Sequence, residues 1–139
     1  MAKKPKTVKT FLTGYLRRAS LHWPARNEAL ADSRSARGWY KCAMCQEEYK
    51  RDQVDIDHIK PIVSLKDGFT TWDDYINALF CPKEGFQILC QNCHETKTMI
   101  EDTMRMQYKT TLKEYEEEEN IDFRKKKSKK HKVEIEDEQ

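Results

Sequence analysis

The stretch that decides the fold lies between residues 42 and 94 and carries a Cys-x-x-Cys pair at each end. It opens with Cys42-Ala43-Met44-Cys45, continues through Asp57-His58-Ile59-Lys60-Pro61 and closes with Cys90-Gln91-Asn92-Cys93-His94. Two such pairs, far apart in sequence, supply the four thiolates of a tetrahedral zinc site. We therefore predict one structural zinc ion, whose full shell leaves no position for water or substrate. The predicted ligands are Cys42, Cys45, Cys90 and Cys93.

The bulk composition also favours a stapled domain. The chain has 139 residues, of which 36% are charged and 37% hydrophobic. A chain so poor in apolar residues has a small core, which usually needs a staple such as zinc. The five cysteines would also suit disulfides, but the basic N-terminus leads into no long apolar run. We therefore expect no secretory segment, no membrane span and a cytoplasmic protein with reduced thiols. The fifth cysteine, Cys81, is expected to be a small buried residue.

Charge is distributed unevenly along the chain. Residues 1–41 carry ten basic and two acidic side chains, a net of +8, although the whole chain has a net charge of only +2. Residues 42–112 have a net of −4 and residues 113–139 a net of −2. A basic arm beside an acidic, metal-binding centre is typical of a protein that holds a polyanion and presents carboxylates to cations.

Hydrophobic periodicity and turn residues predict a small α+β domain with flanking helices. We expect a basic helical arm at 1–37, a zinc-stapled domain with a C-terminal helix at 38–115, and a charged, disordered tail at 116–139. The predicted helices lie at 8–20, 24–36 (ended by Gly38), 72–80 (capped by Thr71) and 92–115. The predicted strands lie at 54–57 and 86–89. In the tail, the lysine-rich run after the four glutamates has two interpretations: it binds DNA non-specifically, or it is a solvated segment with no specific role.

Three residues carry candidate chemistry beside the cysteines. Asp57 offers a hard oxygen to Mg²⁺ or Mn²⁺, and His94, next to Cys93, offers an imidazole nitrogen. Asp57 and His58 are neighbours at a strand end and project to different sides, so one can hold a cation while the other activates water. A lone histidine is more often a hydrogen-bonded structural residue. The combination with Asp57 and with Cys93-His94 favours the functional interpretation of His58.

These motifs resemble the HNH endonuclease family, in the four-cysteine zinc version common in bacteriophages. The resemblance covers about residues 38–100. It rests on Asp57-His58-Ile59-x-Pro61 followed by Gln87-x-Leu89-Cys90-x-x-Cys93-His94-x-x-Lys97-Thr98. It implies a zinc-stapled ββα-metal core, also called a His-Me finger, and metal-dependent hydrolysis of DNA phosphodiesters. It also implies DNA as a partner and a phage origin, hence the host cytoplasm. Packaging with proteins such as a terminase, homing, and attack on host DNA all stay open.

Carried over, the resemblance makes His58 the general base and makes Asp57 and His94 the ligands of a catalytic Mg²⁺ or Mn²⁺. Lys97, one turn beyond His94, is interpreted either as a phosphate contact or as a plain surface lysine. Arginines of the N-terminal arm are further candidates for phosphate contacts, with a solvated helix face as the alternative. These candidates are Arg17, Arg18 and Arg26.

One position departs from the family pattern. An asparagine that orients the general-base loop usually stands five residues before the third cysteine, and here that residue is Gly85. Asn77 or Gln87 could replace it. The rival hypothesis is therefore a zinc-ribbon DNA-binding or assembly protein whose catalytic centre is weak or inactive.

Overall fold

The computed structural model describes the backbone of residues 6–136 and the side chains of residues 6–120. The helices are α1 (Val8–Ser20), α2 (Pro24–Asp32), α3 (Trp72–Leu79) and α4 (Gln91–Glu136). The strands are β1 (Arg34–Ala36), β2 (Trp39–Lys41), β3 (Glu48–Lys50), β4 (Val54–His58) and β5 (Phe86–Cys90), with 3₁₀ turns at Arg51–Gln53 and Lys83–Gly85. Contacts divide the chain into two compact units, Met1–Glu101 and Asp102–Gln139. The described residues confirm the predicted small α+β class.

The first unit contains two antiparallel sheets. One has the strand order β1-β2-β3, and the other pairs β4 with β5. In the second sheet Val54 stands opposite Cys90, Asp57 opposite Gln87 and His58 opposite Phe86. This register places Cys90, a predicted zinc ligand, at one end of the β4–β5 pair and Asp57 and His58 at the other. Because α4 begins directly after Cys90, the same pair also fixes where that helix starts.

The core is small, as the composition predicted. It is built around β5, and α2 packs against β4 and β5 while α1 packs against α3. Leu79 and Leu89 are almost fully enclosed. The buried apolar residues among the described ones are Ala25, Cys42, Val54, Tyr75, Leu79, Phe86, Ile88, Leu89 and Cys90. Two cysteines are therefore among the few buried residues, as expected if a metal supplements the hydrophobic core.

Most of the predicted elements are present. The helix at 8–20 is confirmed, and the Thr7 hydroxyl caps it by accepting a hydrogen bond from the Thr10 amide. Thr71 caps α3 in the same way by accepting from the Asp74 amide at 3.1 Å. Both predicted strands form, each extending to residue 58 or 90. These elements have local signals, a cap or an alternating pattern, within a few residues.

The predicted helix at 24–36 is wrong at its C-terminal end. It ends at Asp32, and residues Arg34–Ala36 instead form β1 and pair with β2. Gly38 does not end a helix but lies in the turn between these strands, with a φ of 79° that glycine adopts without strain. The glycine was a correct turn signal, but it belongs to a hairpin.

The long helix also runs further than predicted. The charged segment expected to be disordered from residue 116 continues α4 as far as Glu136. Glutamate and lysine both favour helix, which offers a physical reason. Residues 1–5 and the side chains of the lysine-rich run lie outside the described residues. Within residues 6–136, none of the helices combines the length and apolar character that a bilayer crossing requires.

Candidate functional site

The four predicted zinc ligands come together. The sulfur atoms of the two Cys-x-x-Cys pairs all lie within 4.8 Å of one another, and the Cys45 and Cys90 sulfurs are 4.0 Å apart. Tetrahedral zinc with Zn–S bonds of about 2.3 Å separates its thiolates by about 3.8 Å. The set of four soft sulfur donors at these distances therefore fits one zinc ion. Among the described residues, no other group of three or more His, Cys, Asp or Glu converges in this way.

Backbone amides support the cluster from both pairs. The Cys90 amide donates to the Cys42 sulfur and the Cys93 amide donates to the Cys90 sulfur, both at 3.4 Å. Burial opposes ionisation of Cys42, but hydrogen bonds, chiefly from the Cys45 and Cys90 amides, lower the pKa of its thiol overall. In contrast, the hydrogen bond with Cys90 raises the pKa of Cys93 to about 12. Without a cation, the cluster therefore keeps a proton that metal binding would release.

The first Cys-x-x-Cys turn is closed by two residues that sequence reasoning missed. Gln46 adopts a left-handed conformation with φ of 63°, and its side-chain amide donates to the Ala43 carbonyl oxygen at 2.7 Å. The Tyr49 hydroxyl lies 3.5 Å from the Cys45 sulfur. The Ala43 amide donates to the Ile88 carbonyl oxygen at 2.8 Å, which attaches the turn to β5. The turn is thus held by main-chain contacts as well as by the sulfur atoms.

His94 and Asp57 face each other beside this cluster. His94 lies in the first turn of α4, directly after Cys93, and its Nε2 atom is 3.7 Å from Asp57 Oδ1. Its Nδ1 atom is 3.5 Å from Asp55 Oδ2, so the imidazole lies between two carboxylates of β4. Asp55 and Asp57 share one face of the strand because side chains two residues apart point the same way. Sequence reasoning placed both acids on that face but did not assign Asp55 to the site.

The other oxygen of Asp57 is held by two donors. Gln87, directly opposite on β5, donates its side-chain amide to Asp57 Oδ2 at 2.9 Å. The Lys97 ammonium lies 3.1 Å from the same oxygen. Lys97 also lies 2.6 Å from Glu101 Oε1 and donates to the His58 carbonyl oxygen at 3.0 Å. Burial alone would lower the pKa of Lys97, but the hydrogen bonds to Glu101 and Asp57 outweigh it and raise that pKa.

His58 is half-buried at the end of β4, and its ring is oriented by a backbone atom. Its Nε2 atom lies 2.9 Å from the carbonyl oxygen of Leu79, the last residue of α3, and the ring packs on Phe86. A carbonyl oxygen only accepts hydrogen bonds, so Nε2 carries the proton and Nδ1 keeps its lone pair. Burial lowers the pKa of His58 below its usual value, and the charges of Arg26 and Lys97 act in the same direction. The neutral imidazole is therefore the form present at neutral pH.

The departure at Gly85 has a packing reason. A Cβ atom at this position would lie 2.6 Å from the Cys81 sulfur, closer than non-bonded atoms approach. The Cys81 Cβ atom would also lie 3.0 Å away, and the backbone of Cys81 is held by Trp23, whose Nε1 donates to its carbonyl oxygen at 2.7 Å. The Gly85 carbonyl accepts from the Ile59 amide at 2.9 Å, which continues the β4–β5 ladder past His58. Gly85 thus contacts the base loop through its backbone.

Neither proposed substitute for the missing asparagine is seen to orient His58. The Gln87 amide binds Asp57, as described above. Asn77 lines a cleft of about 550 Å³ beside His58, together with residues that include Lys60 and Glu84. The group that holds the His58 ring is the Leu79 carbonyl, which a side-chain motif does not reveal. Cys81, predicted to be small and buried, is partly buried and lies outside the four-cysteine cluster.

The three arginines of the basic arm lie in different surroundings. Arg17 donates from Nε to the Tyr75 hydroxyl at 3.2 Å, whereas the exposed Arg18 lies over the Tyr15 ring. Arg26 is half-buried, packs on the Phe86 ring and donates to the Ile56 carbonyl oxygen at 3.4 Å. Burial lowers the pKa of Arg26, and the neighbouring Arg51 adds to this effect. Phosphate contact by these residues stays a prediction, and Arg26 has a packing role in addition.

No protein-family model, curated protein or solved structure matches this chain. The resemblance to the HNH family therefore rests on the motif residues alone.

Proposed function

We propose that the chain is an HNH-type endonuclease that hydrolyses DNA phosphodiesters with a divalent cation, Mg²⁺ or Mn²⁺. The observation that carries this proposal is the pairing of Asp57 on β4 with His94 at the start of α4, whose Oδ1 and Nε2 atoms are 3.7 Å apart. Asp57 and His94 face each other, and His58, on the adjacent position of β4, keeps a free Nδ1 lone pair. The strand pair followed by α4 is the arrangement expected of a ββα-metal core.

Asp57 and His94 offer a carboxylate oxygen and an imidazole nitrogen to a hard cation, and these nearest atoms are 3.7 Å apart. An octahedral cation with bonds of about 2.1 Å separates its ligand atoms by about 3.0 Å when they are adjacent and about 4.2 Å when they are opposite. Binding as adjacent ligands therefore requires the two side chains to approach each other by about 0.7 Å. A cation held there would supply positive charge to a phosphate oxygen in the transition state.

The other roles in the proposed reaction belong to side chains of the protein. His58 accepts a proton from water at Nδ1, because Nε2 is committed to the Leu79 carbonyl and the ring is neutral. Asp57 and His94 hold the cation, and the zinc cluster fixes His94 through the adjacent Cys93. A positioned general base typically contributes about 10²–10⁴-fold in rate. The basic N-terminal arm provides a sequence-independent attraction for the DNA backbone.

The experiment is a supercoiled-plasmid assay of the zinc-loaded protein with Mg²⁺, with Mn²⁺ or with neither cation added. We expect relaxed or linear product only with the added cation, and at least about 10²-fold less with His58→Ala. His22→Ala is the matched control, because His22 is exposed and stands apart from the site. Equal cleavage by His58→Ala and the wild type would show that His58 is not the general base.

The second candidate is a zinc-containing DNA-binding or assembly protein without catalysis. Gly85 favours it, since the asparagine expected there is absent. In the plasmid assay this candidate predicts shifted but uncut DNA with every cation. The intact Asp57-His58 and Cys93-His94 pairs favour the nuclease.

A further inference from the structure

Lys97 is enclosed by oxygen atoms rather than directed to solvent. Its side chain is only 16% exposed, and Asp57, with which it pairs, is 12% exposed. The ammonium group lies within 3.1 Å of three acceptors: a carboxylate oxygen of Asp57, a carboxylate oxygen of Glu101 and the main-chain oxygen of His58. An ammonium group has three N–H donors. Each donor therefore has an acceptor inside the protein, and none is left for a phosphate.

These contacts connect the parts of the proposed site. Lys97 belongs to α4, as does His94, whereas Asp57 and His58 belong to β4. One side chain thus ties the strand that carries a cation ligand and the base to the helix that carries the second cation ligand. Since the contact to His58 is with its backbone oxygen, it fixes the position of the base without occupying the imidazole.

The contacts also determine which oxygen of Asp57 is available. Oδ2 accepts from both Lys97 and Gln87, whereas Oδ1 is the atom that faces His94. With Oδ2 doubly held, rotation of the carboxylate is restricted and Oδ1 stays directed to the cation position. Glu101 balances the charge of Lys97, so the ammonium can lie beside this position without an uncompensated positive charge.

We infer that Lys97, with Glu101 as its counter-ion, is a positioning residue that fixes Asp57 and His58 relative to each other, and that it does not contact the DNA phosphate. This inference rests on the proposed function. Groups that orient the ligands of a metal typically change metal affinity or activity by about 10–100-fold when they are removed.

The test is a variant that removes the ion pair without changing net charge, Lys97→Met with Glu101→Gln. Its matched control is Asp102→Asn with Arg105→Gln, which removes an exposed ion pair of 2.8 Å from the same helix. Three quantities are measured on zinc-loaded protein: Mn²⁺ affinity by titration calorimetry, the single-turnover cleavage rate at saturating Mn²⁺, and DNA affinity without added Mn²⁺ or Mg²⁺. Zinc content and melting temperature are measured alongside, and Lys97→Arg serves as a variant that retains the charge.

We expect the Lys97→Met/Glu101→Gln variant to bind Mn²⁺ and cleave DNA at least about 10-fold less well, with unchanged DNA affinity when no Mn²⁺ or Mg²⁺ is added. Lys97→Arg should recover part of the loss, because its guanidinium can still donate to both carboxylates. A phosphate contact would instead weaken DNA binding without added Mn²⁺ or Mg²⁺ and reduce its salt dependence by about one unit of slope. That result, or wild-type Mn²⁺ affinity and cleavage in the variant, would overturn the inference. A wild-type protein that neither binds Mn²⁺ nor cleaves would instead refute the proposed nuclease.

Discussion

The Nε2 atom of His58 lies 2.9 Å from the carbonyl oxygen of Leu79, so the end of α3 selects the tautomer of the proposed base. The last carbonyls of a helix have no partner within it and are free to accept such a bond. The HNH pattern that the motifs resemble uses an asparagine to orient the general-base loop, and here a main-chain oxygen holds the His58 ring itself. The consequences of this contact, and of the others around the site, can be tested.

The pH dependence of cleavage should report the lowered pKa of His58. The base acts in its neutral form, so the rate is lost as the pH falls through that pKa. Because burial lowers the pKa below its usual value of about 6.5, we expect the acid limb of the single-turnover rate, at saturating Mn²⁺, to lie below pH 6.5. A midpoint above pH 7 would contradict the protonation state inferred for His58.

Loss of a zinc ligand should unfold the first unit. In Cys42→Ser or Cys90→Ser, a buried thiolate of the cluster is lost, and structural zinc in small domains contributes about 10–16 kcal/mol to folding. We expect elemental analysis to find about one zinc per chain in the wild type and much less in these variants, with loss of the cooperative thermal transition. The control is Cys81→Ser, which lies outside the cluster and should keep its zinc. A zinc-free Cys42→Ser protein that melts cooperatively near the wild-type temperature would show that zinc does not stabilise this fold.

Gln46→Gly should stabilise the protein. The left-handed backbone of Gln46 costs about 1–2 kcal/mol for a residue with a Cβ atom, and glycine removes that cost. Part of the gain is offset by the lost hydrogen bond to Ala43 and by the greater freedom of the unfolded chain, so we expect a net increase of about 0.5–1 kcal/mol in the free energy of unfolding. Urea denaturation of Gln46→Gly and of Gln46→Ala provides the comparison. A glycine variant less stable than the alanine variant would show that the left-handed backbone at position 46 carries no cost that glycine removes.

Arg18 and Arg26 should respond differently to the same substitution. Arg18 is exposed, so Arg18→Gln should weaken DNA binding and reduce the slope of log affinity against log salt by about 0.9. Arg26 donates to a β4 carbonyl and packs on Phe86, so Arg26→Gln should lower the free energy of unfolding by about 1–3 kcal/mol. Fluorescence anisotropy at several salt concentrations and denaturant unfolding separate the two effects. Equal salt slopes for Arg18→Gln and the wild type would remove Arg18 from the DNA-binding surface.

The parts of this fold that could be predicted have signals within a few residues. The cysteine pairs converge as their spacing indicated, and α1, α3, β4 and β5 form where caps or alternation placed them. The three-stranded sheet was missed because its strands have only three residues each, too few for a period to be read. Phe11 and Tyr15 mark the helical period of α1, yet both are more than half exposed, so the pattern indicated the helix but not what covers that face.

The candidate site likewise contains residues with a local sequence signal and contacts that have none. Asp57, His58 and His94 were identified from motifs, and the structure brings Asp57 and His94 face to face. The Leu79 carbonyl could not be found this way, because a main-chain oxygen has no residue signature. Leu79 also lies 21 positions from His58 in sequence. Glu101 could have been noticed, since it stands four residues after Lys97 on one helix. The contact of Lys97 with Asp57 depends on how β4 meets α4, and no local pattern encodes that.

The contact between Gly85 and Cys81 constrains how this sequence can change. An asparagine at position 85 would place its Cβ atom 2.6 Å from the Cys81 sulfur, so this change alone is disfavoured while the cysteine remains. The sulfur ends a side chain and can rotate away, but the Cys81 Cβ atom, 3.0 Å from the same point, is fixed by the backbone. An asparagine at position 85 therefore requires a rotation of the Cys81 side chain together with a small shift of the chain.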